Sequence, residues 1–358
     1  MAKVSFNNNG QQFFSTLKKS VDQYFLNNNI RKTGNWKLYT KTLILIPLAI
    51  TLYLFLLFSG YSVITGLSLS LLLGFTLVSI AFNVMHDACH GSYSSKKWVN
   101  DLLSLTMNAL GSNSFIWKIK HNVVHHTYTN VDGIDDDIAK SPLLRSCDTQ
   151  KWTPMHRFQH VYMFFLYSLS TILWVFLTDI IKYFNRKIVV TEMKITPVQH
   201  FNFWGSKILY VAFYVVLPLM CVGWEAWIIG YLIVNVTMGL VLAIVIQLAH
   251  VVEKTSFENV GETAKTIDSE WAIHEIKTTA NFAVGNKFIT WFVGGLNYQV
   301  EHHLFPRVSH IHYKAISKIV QDHCHKFQLP YHNYTTMTKA IASHVRIMKN
   351  LGKKTKAA

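Results

Sequence analysis

Residues 42–85 and 208–249 contain no lysine or arginine, although the 358-residue chain carries 34 of them. A helix needs roughly 20 apolar residues to cross a bilayer core. The first stretch holds two such lengths, TLILIPLAITLYLFLLFSG and YSVITGLSLSLLLGFTLVSIAFNVM. The second holds two more, interrupted at Gly223-Trp224-Glu225. The expected fold is therefore all-α and integral to the membrane. It should contain two transmembrane helical hairpins, with four spans near residues 42–60, 63–85, 207–223 and 226–249.

The cations between these runs set the orientation. Seven Lys and Arg fall in residues 1–41, eight in 86–160, five in 182–207 and fourteen after 249. Cationic loops stay on the cytoplasmic side, so both termini and every basic segment are expected there. A fifth apolar stretch, VYMFFLYSLSTILWVFLTDII at 161–181, would leave the cations of 182–207 outside if it crossed. It is expected to be an in-plane or re-entrant element. The soluble mass then forms a cytoplasmic helical cap, of which residues 250–358 are the largest part. VNDLLSLTMNALGSNSFIWKIK mixes apolar and polar residues and reads as an amphipathic helix on the membrane surface.

Composition narrows the class. Only 15% of residues are charged, yet the net charge is +15, against roughly 25% charged in an average soluble domain. That balance fits a membrane protein with a basic face and leaves nucleic-acid binding without support. Cys89, Cys147, Cys221 and Cys324 are scattered, with no Cys-x-x-Cys pair, so neither a disulfide framework nor a zinc ribbon is expected. The start, MAKVSFNNNGQQFF, has no signal-peptide pattern, and the basic tail KNLGKKTKAA reads as disordered. No repeat or linker divides the chain, and 1–358 reads as one domain.

Three histidine clusters carry the chemistry: His86-Asp-Ala-Cys-His90, His121-Asn-Val-Val-His125-His126 and Gln299-Val-Glu-His302-His303. A four-residue spacing puts both imidazoles on one face of a helix, and an adjacent pair widens that face. Long apolar segments separate the clusters, so only a folded membrane protein unites them. Neutral imidazole suits iron, copper, zinc and nickel. His-Glu-x-x-His is absent, because His274-Glu275 continues Ile-Lys-Thr, and no glutamate has a histidine three residues later. The centre is rich in imidazole and poor in carboxylate. A metal transporter would place ionisable residues within the spans, which are nearly free of them. Ligating imidazoles donate their other N–H to a carboxylate or carbonyl. Asp87 and the run Asn130-Val-Asp-Gly-Ile-Asp135-Asp136-Asp137 are candidates for that supporting role, as is Gln247. Glu301 should face away from the metal, and His274 stands out among the remaining histidines because it lies between two clusters.

The order and spacing of these boxes over residues 40–330, with Leu296-Asn-Tyr-Gln-Val-Glu-His-His-Leu-Phe-Pro306 as the third, resemble the membrane fatty acid desaturase family. Gln299 in place of a leading histidine resembles its front-end branch, which includes linoleoyl-type desaturases. The resemblance implies a non-haem enzyme with two iron ions that uses dioxygen and two electrons to insert a cis double bond into an acyl chain. Its ligands by position are His86, His90, His121, His125, His126, His302 and His303. His250 takes the place of a further ligand after the fourth span, and Gln299 is expected to hold a water or orient His303. The substrate is expected to be an acyl-CoA or acyl lipid lying in a narrow apolar tunnel. No His-Pro-Gly-Gly haem box occurs, so electrons should come from a separate ferredoxin or small haem cytochrome with its reductase. The basic face suits an acidic redox partner and anionic membrane lipids. A lipid or alkane hydroxylase on the same boxes is the alternative; the third box favours the desaturase.

Overall fold

The computed structural model describes residues 4–7, 12–138, 142–260 and 266–354. Helix α1, Phe13–Asn27, buries Phe13, Leu17, Val21 and Phe25, a four-residue repeat that lines up one face. Among the described residues, three helices are long and apolar enough to cross a membrane: α2 (Trp36–Phe58), α3 (Val63–His90) and a third considered below. Both start earlier or end later than the apolar runs alone suggest. Asn35 caps α2 by accepting from Lys37 N at 2.9 Å. Helix α3 does not stop at residue 85 but carries the first histidine box to its end, where Gly91 takes a left-handed φ of 72° that glycine adopts without strain.

Between the first two boxes the expected single amphipathic helix is broken into three, Lys97–Ser104, Thr106–Ala109 and Ser114–Lys118. Gly111 at φ 94° turns the chain, and Asn113 caps the last piece by accepting from Phe115 N and Ile116 N. Helices α4 (Pro154–Ser168) and α5 (Ser170–Asn185) cover the fifth apolar stretch and meet at 61°.

The third long helix, α6 (Pro197–His250), spans 54 residues but is not straight. Gly223 has φ 78° and ψ 168°, far from helical values. Tyr210 and Tyr231 share a hydrogen bond of 3.0 Å between their hydroxyls, and Trp227 Nε1 donates to Tyr214 O at 3.0 Å. In an unbroken helix residues 210 and 231 would stand roughly 30 Å apart. The chain therefore doubles back at Gly223, where the sequence reading placed an interruption. Close packing of α3 on the second limb depends on Gly74, because a Cβ there would lie 2.9 Å from Thr237 Cβ.

Apolar side chains cover the outside of these helices. Leu43, Ile44 and Phe58 on α2, Phe165 on α4, Leu177 on α5, and Ile208, Met220 and Trp224 on α6 are all exposed. Water would oppose such a girdle and lipid does not, so this is a membrane protein. Helices α7 (Trp271–Thr278), α8 (Gln299–Leu304), α9 (Tyr313–Lys326) and α10 (Met337–Leu351) follow, with a short helix at Lys287–Phe292 between the first two. Helix α1 packs on α9 through a second apolar core that includes Leu17, Ile276 and Ile316. Two short parallel pairings tie distant segments together, Ser5–Phe6 with Thr266–Ile267 and Asn281–Phe282 with Asn333–Tyr334. Helix α10 runs to Leu351, into the tail read as disordered; residues 355–358 lie outside the described ones.

Candidate metal centre

Each histidine box sits on a helix whose local winding aims its rings. One wide turn, Ala81–Met85, precedes the first box, and His86 and His90 follow at helical spacing with ring centroids 4.6 Å apart. The second box lies in a second wide segment, Ile119–His125, where His126 N donates to His121 O at 3.0 Å, a bond spanning five residues. This winding places positions i+4 and i+5 on either side of position i. His121, His125 and His126 therefore face one side together, and such turns recur at functional sites. His302 and His303 come from α8, and His250 is the last residue of α6.

These elements gather all eight predicted histidines. One ring nitrogen from each of His86, His90, His121 and His302 lies within 4.8 Å of the others, and the same holds for His125, His250 and His303. His126 groups with His302 and His303, and its Nε2 is 3.2 Å from Nε2 of His121. Two nitrogens held at about 2.1 Å on one metal ion would be separated by about that much.

Five buried ring nitrogens in the cluster lack a hydrogen bond: His90 Nε2, His126 Nδ1, His250 Nδ1, His302 Nε2 and His303 Nε2. Buried polar atoms are almost always partnered. Five unpaired ring nitrogens around one volume are available to bind a metal ion. Burial, with the neighbouring imidazoles adding, holds His121, His126, His302 and His303 well below the ordinary histidine range. They are neutral, the form that ligates.

The backs of three rings are fixed. His303 Nδ1 lies 2.7 Å from Glu275 Oε2, which also accepts from Thr129 Oγ1 at 2.9 Å. His302 Nδ1 pairs with the Tyr313 hydroxyl at 3.0 Å. His125 Nδ1 faces Asp135 Oδ2 at 3.1 Å and Asp137 Oδ2 at 3.5 Å. Burial opposes protonation of His125, but the charge and hydrogen bond of Asp135, with Asp137 behind, raise it above its usual range. Asp135 is itself held by Asn130 N and Asp137 N, each at 2.9 Å.

The other supporting candidates fall elsewhere. Asn130 Nδ2 donates to the carbonyls of His250, Ser256 and Thr278, tying the second box to the end of α6. Asp87 accepts from Ser309 Oγ at 2.7 Å and faces His310 Nδ1 at 3.0 Å, joining the first box to the segment after the third. Gln247 contributes its backbone carbonyl, which accepts from Val251 N at 2.8 Å. Gln299 is buried and lines the cavity beside His302. Glu301 points to Asn281 and Tyr331 instead.

Sequence reasoning missed Glu275 and Tyr313. It singled out His274, whose Nε2 meets the carbonyl of Thr129 at 2.8 Å. The signal was one residue away, a lone carboxylate in the short helix WAIHEIKT. Trp117 was missed too; it stacks on His121 with centroids 4.3 Å apart.

An apolar cavity ends on this cluster, enclosing about 930 Å³ including its open mouth. Its wall contains His86, His121, His125, His250 and His302, while Val78, Phe82, Met85, Met238, Leu242 and Leu296 supply apolar surface. A few polar groups, among them Ser112, Lys120 and Asp137, interrupt it. Lys120 is paired with Asp137. The arrangement suits a long apolar ligand brought against metal-bound chemistry.

Comparison with known proteins agrees with this geometry. Residues 61–335 match the family described as fatty acid desaturase. The chain is 37% identical to the sn-1 linoleoyl-lipid 6-desaturase of Synechocystis sp., covering 95% of this chain and 96% of that one. It is 36% identical to the protein of the same description from Arthrospira platensis, over 95% and 92% of the two chains. With the acyl-lipid (8-3)-desaturase of Physcomitrium patens it shares 33% identity, over 96% of this chain and 72% of the relative.

Proposed function

Because the chain belongs to the fatty acid desaturase family, we propose that its eight clustered histidines hold two iron ions at the closed end of an acyl cavity. The enzyme is a membrane oxidoreductase that unsaturates fatty acyl chains with iron and dioxygen. His86, His90, His121 and His302 would hold one ion, and His125, His250 and His303 the other, with His126 between them. The observation that carries this assignment is the set of unpartnered ring nitrogens converging from four segments. When bound, iron would supply the reduction of dioxygen to two waters, with two hydrogens taken from adjacent methylenes and two electrons and two protons from the donor and solvent.

The chain's own residues do the rest. Glu275, Tyr313 and Asp135 orient His303, His302 and His125 from behind, which fixes the imidazole tautomers and keeps their front nitrogens free. The cavity excludes water and holds an acyl chain at one depth by shape. Gln299, which lines the cavity with His302, would hold a water or orient His303.

We assign four spans: α2, α3 and the two limbs of α6. Helices α4 and α5 then form a re-entrant pair. The absence of Lys and Arg from 42–85 and 208–249 supports this arrangement, which puts both termini and all histidine boxes on the cytoplasmic face. The substrate follows the relatives' names: a linoleoyl-type chain carried on a glycerolipid. The net charge of +15 fits a separate acidic donor, a ferredoxin or a small haem cytochrome with its reductase, drawn in by electrostatic steering.

The test is expression in a host without polyunsaturated lipids, supplied with saturated, monoenoic and dienoic acids, followed by gas chromatography of each lipid class. A new double bond in glycerolipid chains is expected first. Products appearing in the CoA pool before the lipids would move the substrate to acyl-CoA, and hydroxylated products would replace the desaturase reading.

A further inference from the structure

One side of the cavity is built around a buried ion pair that takes no part in holding metal. The Asp179 carboxylate on α5 is fully buried. It accepts from Ser112 Oγ at 2.9 Å and Trp174 Nε1 at 2.9 Å, and lies 3.3 Å from Lys207 Nζ on α6. Lys207 Nζ also donates to Gly111 O at 2.6 Å and Val175 O at 2.7 Å. Three elements meet there: the turn between the short helices, the re-entrant pair, and the first limb of α6.

Three of the residues gripped are themselves cavity wall. Ser112, Trp174 and Val175 all line the space that ends on the histidines. The Trp174 indole is held from two sides, by Asp179 at its N–H and by Lys120, whose Nζ stands 5.3 Å from its centroid. Gly111 permits the approach, because a Cβ there would come within 2.6 Å of the Tyr210 ring and 2.7 Å of Val175. A buried ion pair is a poor source of stability, since desolvation offsets its attraction, and apolar residues of equal volume often do as well. What directional bonds add is fixed geometry. Apolar packing would leave the indole free to change rotamer, whereas these bonds specify one.

We propose that the Lys207–Asp179 pair is a specificity-determining positioning device, which sets the cross-section of the acyl cavity by fixing Trp174. The inference rests on the cavity being the acyl site. Lys207 and Asp179 touch no substrate; they act through the indole, the Ser112 hydroxyl and the Val175 backbone. Their loss should change which chain is accepted, or where along it the bond forms, before it changes the metal centre.

The experiment uses the full chain in membranes, with two acyl chains differing by two carbons supplied together, and reads the ratio of the two products, bond positions and iron per chain. Asp179→Asn is expected to shift the product ratio at least threefold while iron content stays at the wild-type level. Trp174→Phe, which keeps a ring and removes the N–H, should shift it in the same direction. The double variant should move it no further than the larger single change, since both act through one contact. Lys207→Arg should restore a ratio near that of wild type, and Lys207→Met should not. Equal loss of both products in step with protein abundance would make the pair merely structural and overturn the proposal. Multiplying effects in the double variant would also overturn it, by showing that Asp179 does not act through Trp174. Leu242→Trp checks the premise separately: it should block conversion with iron retained. Wild-type conversion in that variant would remove the cavity reading itself, whatever the pair does.

Discussion

Glu275 Oε2 lies 2.7 Å from Nδ1 of His303, inside a site where neither side chain is exposed to solvent. Burial pushes the Glu275 carboxyl well above the usual carboxylate range, against the hydrogen bond from Thr129. A positive ion on the far side of His303 would draw that carboxyl towards its charged form. Glu275→Ala should therefore weaken metal binding by about 10- to 100-fold, the usual effect of losing such a partner. Glu275→Gln should cost less, because an amide oxygen still accepts from Nδ1. Chelator competition measures both, and equal affinity in all three proteins would remove Glu275 from the site.

His250 is the ligand candidate outside the three boxes, and the second group depends on it. His250→Ala should lower iron from about two per chain towards one, because three nitrogens become two in that group while the His86 group keeps four. Metal analysis of the purified protein decides this. Unchanged stoichiometry with full activity would assign His250 a packing role instead.

Without iron the cluster should make the protein acid-sensitive. His121, His126, His302 and His303 titrate well below the ordinary histidine value when folded. The unfolded chain therefore binds more protons below pH of about 6.5, and stability falls with falling pH through that window. His125, raised in the folded state, has the opposite sign, one group against four. The melting temperature of iron-stripped protein in detergent should be lower at pH 5.5 than at pH 7.5. A melting temperature equal or higher at pH 5.5 would contradict the burial of neutral rings.

Cys221 is a native probe of the topology. It is exposed and two residues from the reversal at Gly223, whereas Cys89, Cys147 and Cys324 are buried. If the limbs of α6 are separate spans, a membrane-impermeant maleimide should label intact cells at this residue alone. Cys221→Ser should abolish the label. Labelling that requires permeabilised cells would place the turn inside and reverse the assigned orientation.

The sequence disclosed what lipid and metal impose locally. Lipid demands long uncharged runs, so the apolar helices and the interruption at Gly223 were legible. A helix places i and i+4 together, so His86 with His90 and His121 with His125 could be read directly. Their wide turns could not be read, and neither could partners supplied by distant segments. Glu275 and Tyr313 reach the histidines only through packing of α7 and α9, and Lys207 meets Asp179 across 28 positions. The surface helix predicted between the first two boxes failed because Gly111 and Asn113 impose turn geometry that outweighs its hydrophobic pattern. In each case a tertiary or turn constraint decided the outcome.

The spread of the ligands along the chain has a consequence for biosynthesis. A nascent chain that has emerged only through the second box offers His86, His90 and His121, a group one nitrogen short of its full set. His250 arrives after the hairpin of α6, and His302 and His303 arrive after α7, which carries Glu275. Iron captured early would meet an incomplete site open to water, where it can release reactive oxygen species without a substrate to consume them. With His302 and His303 as ligands, the complete site cannot assemble until the chain beyond residue 300 has followed the whole membrane anchor, so the oxidant would be armed only after those helices exist.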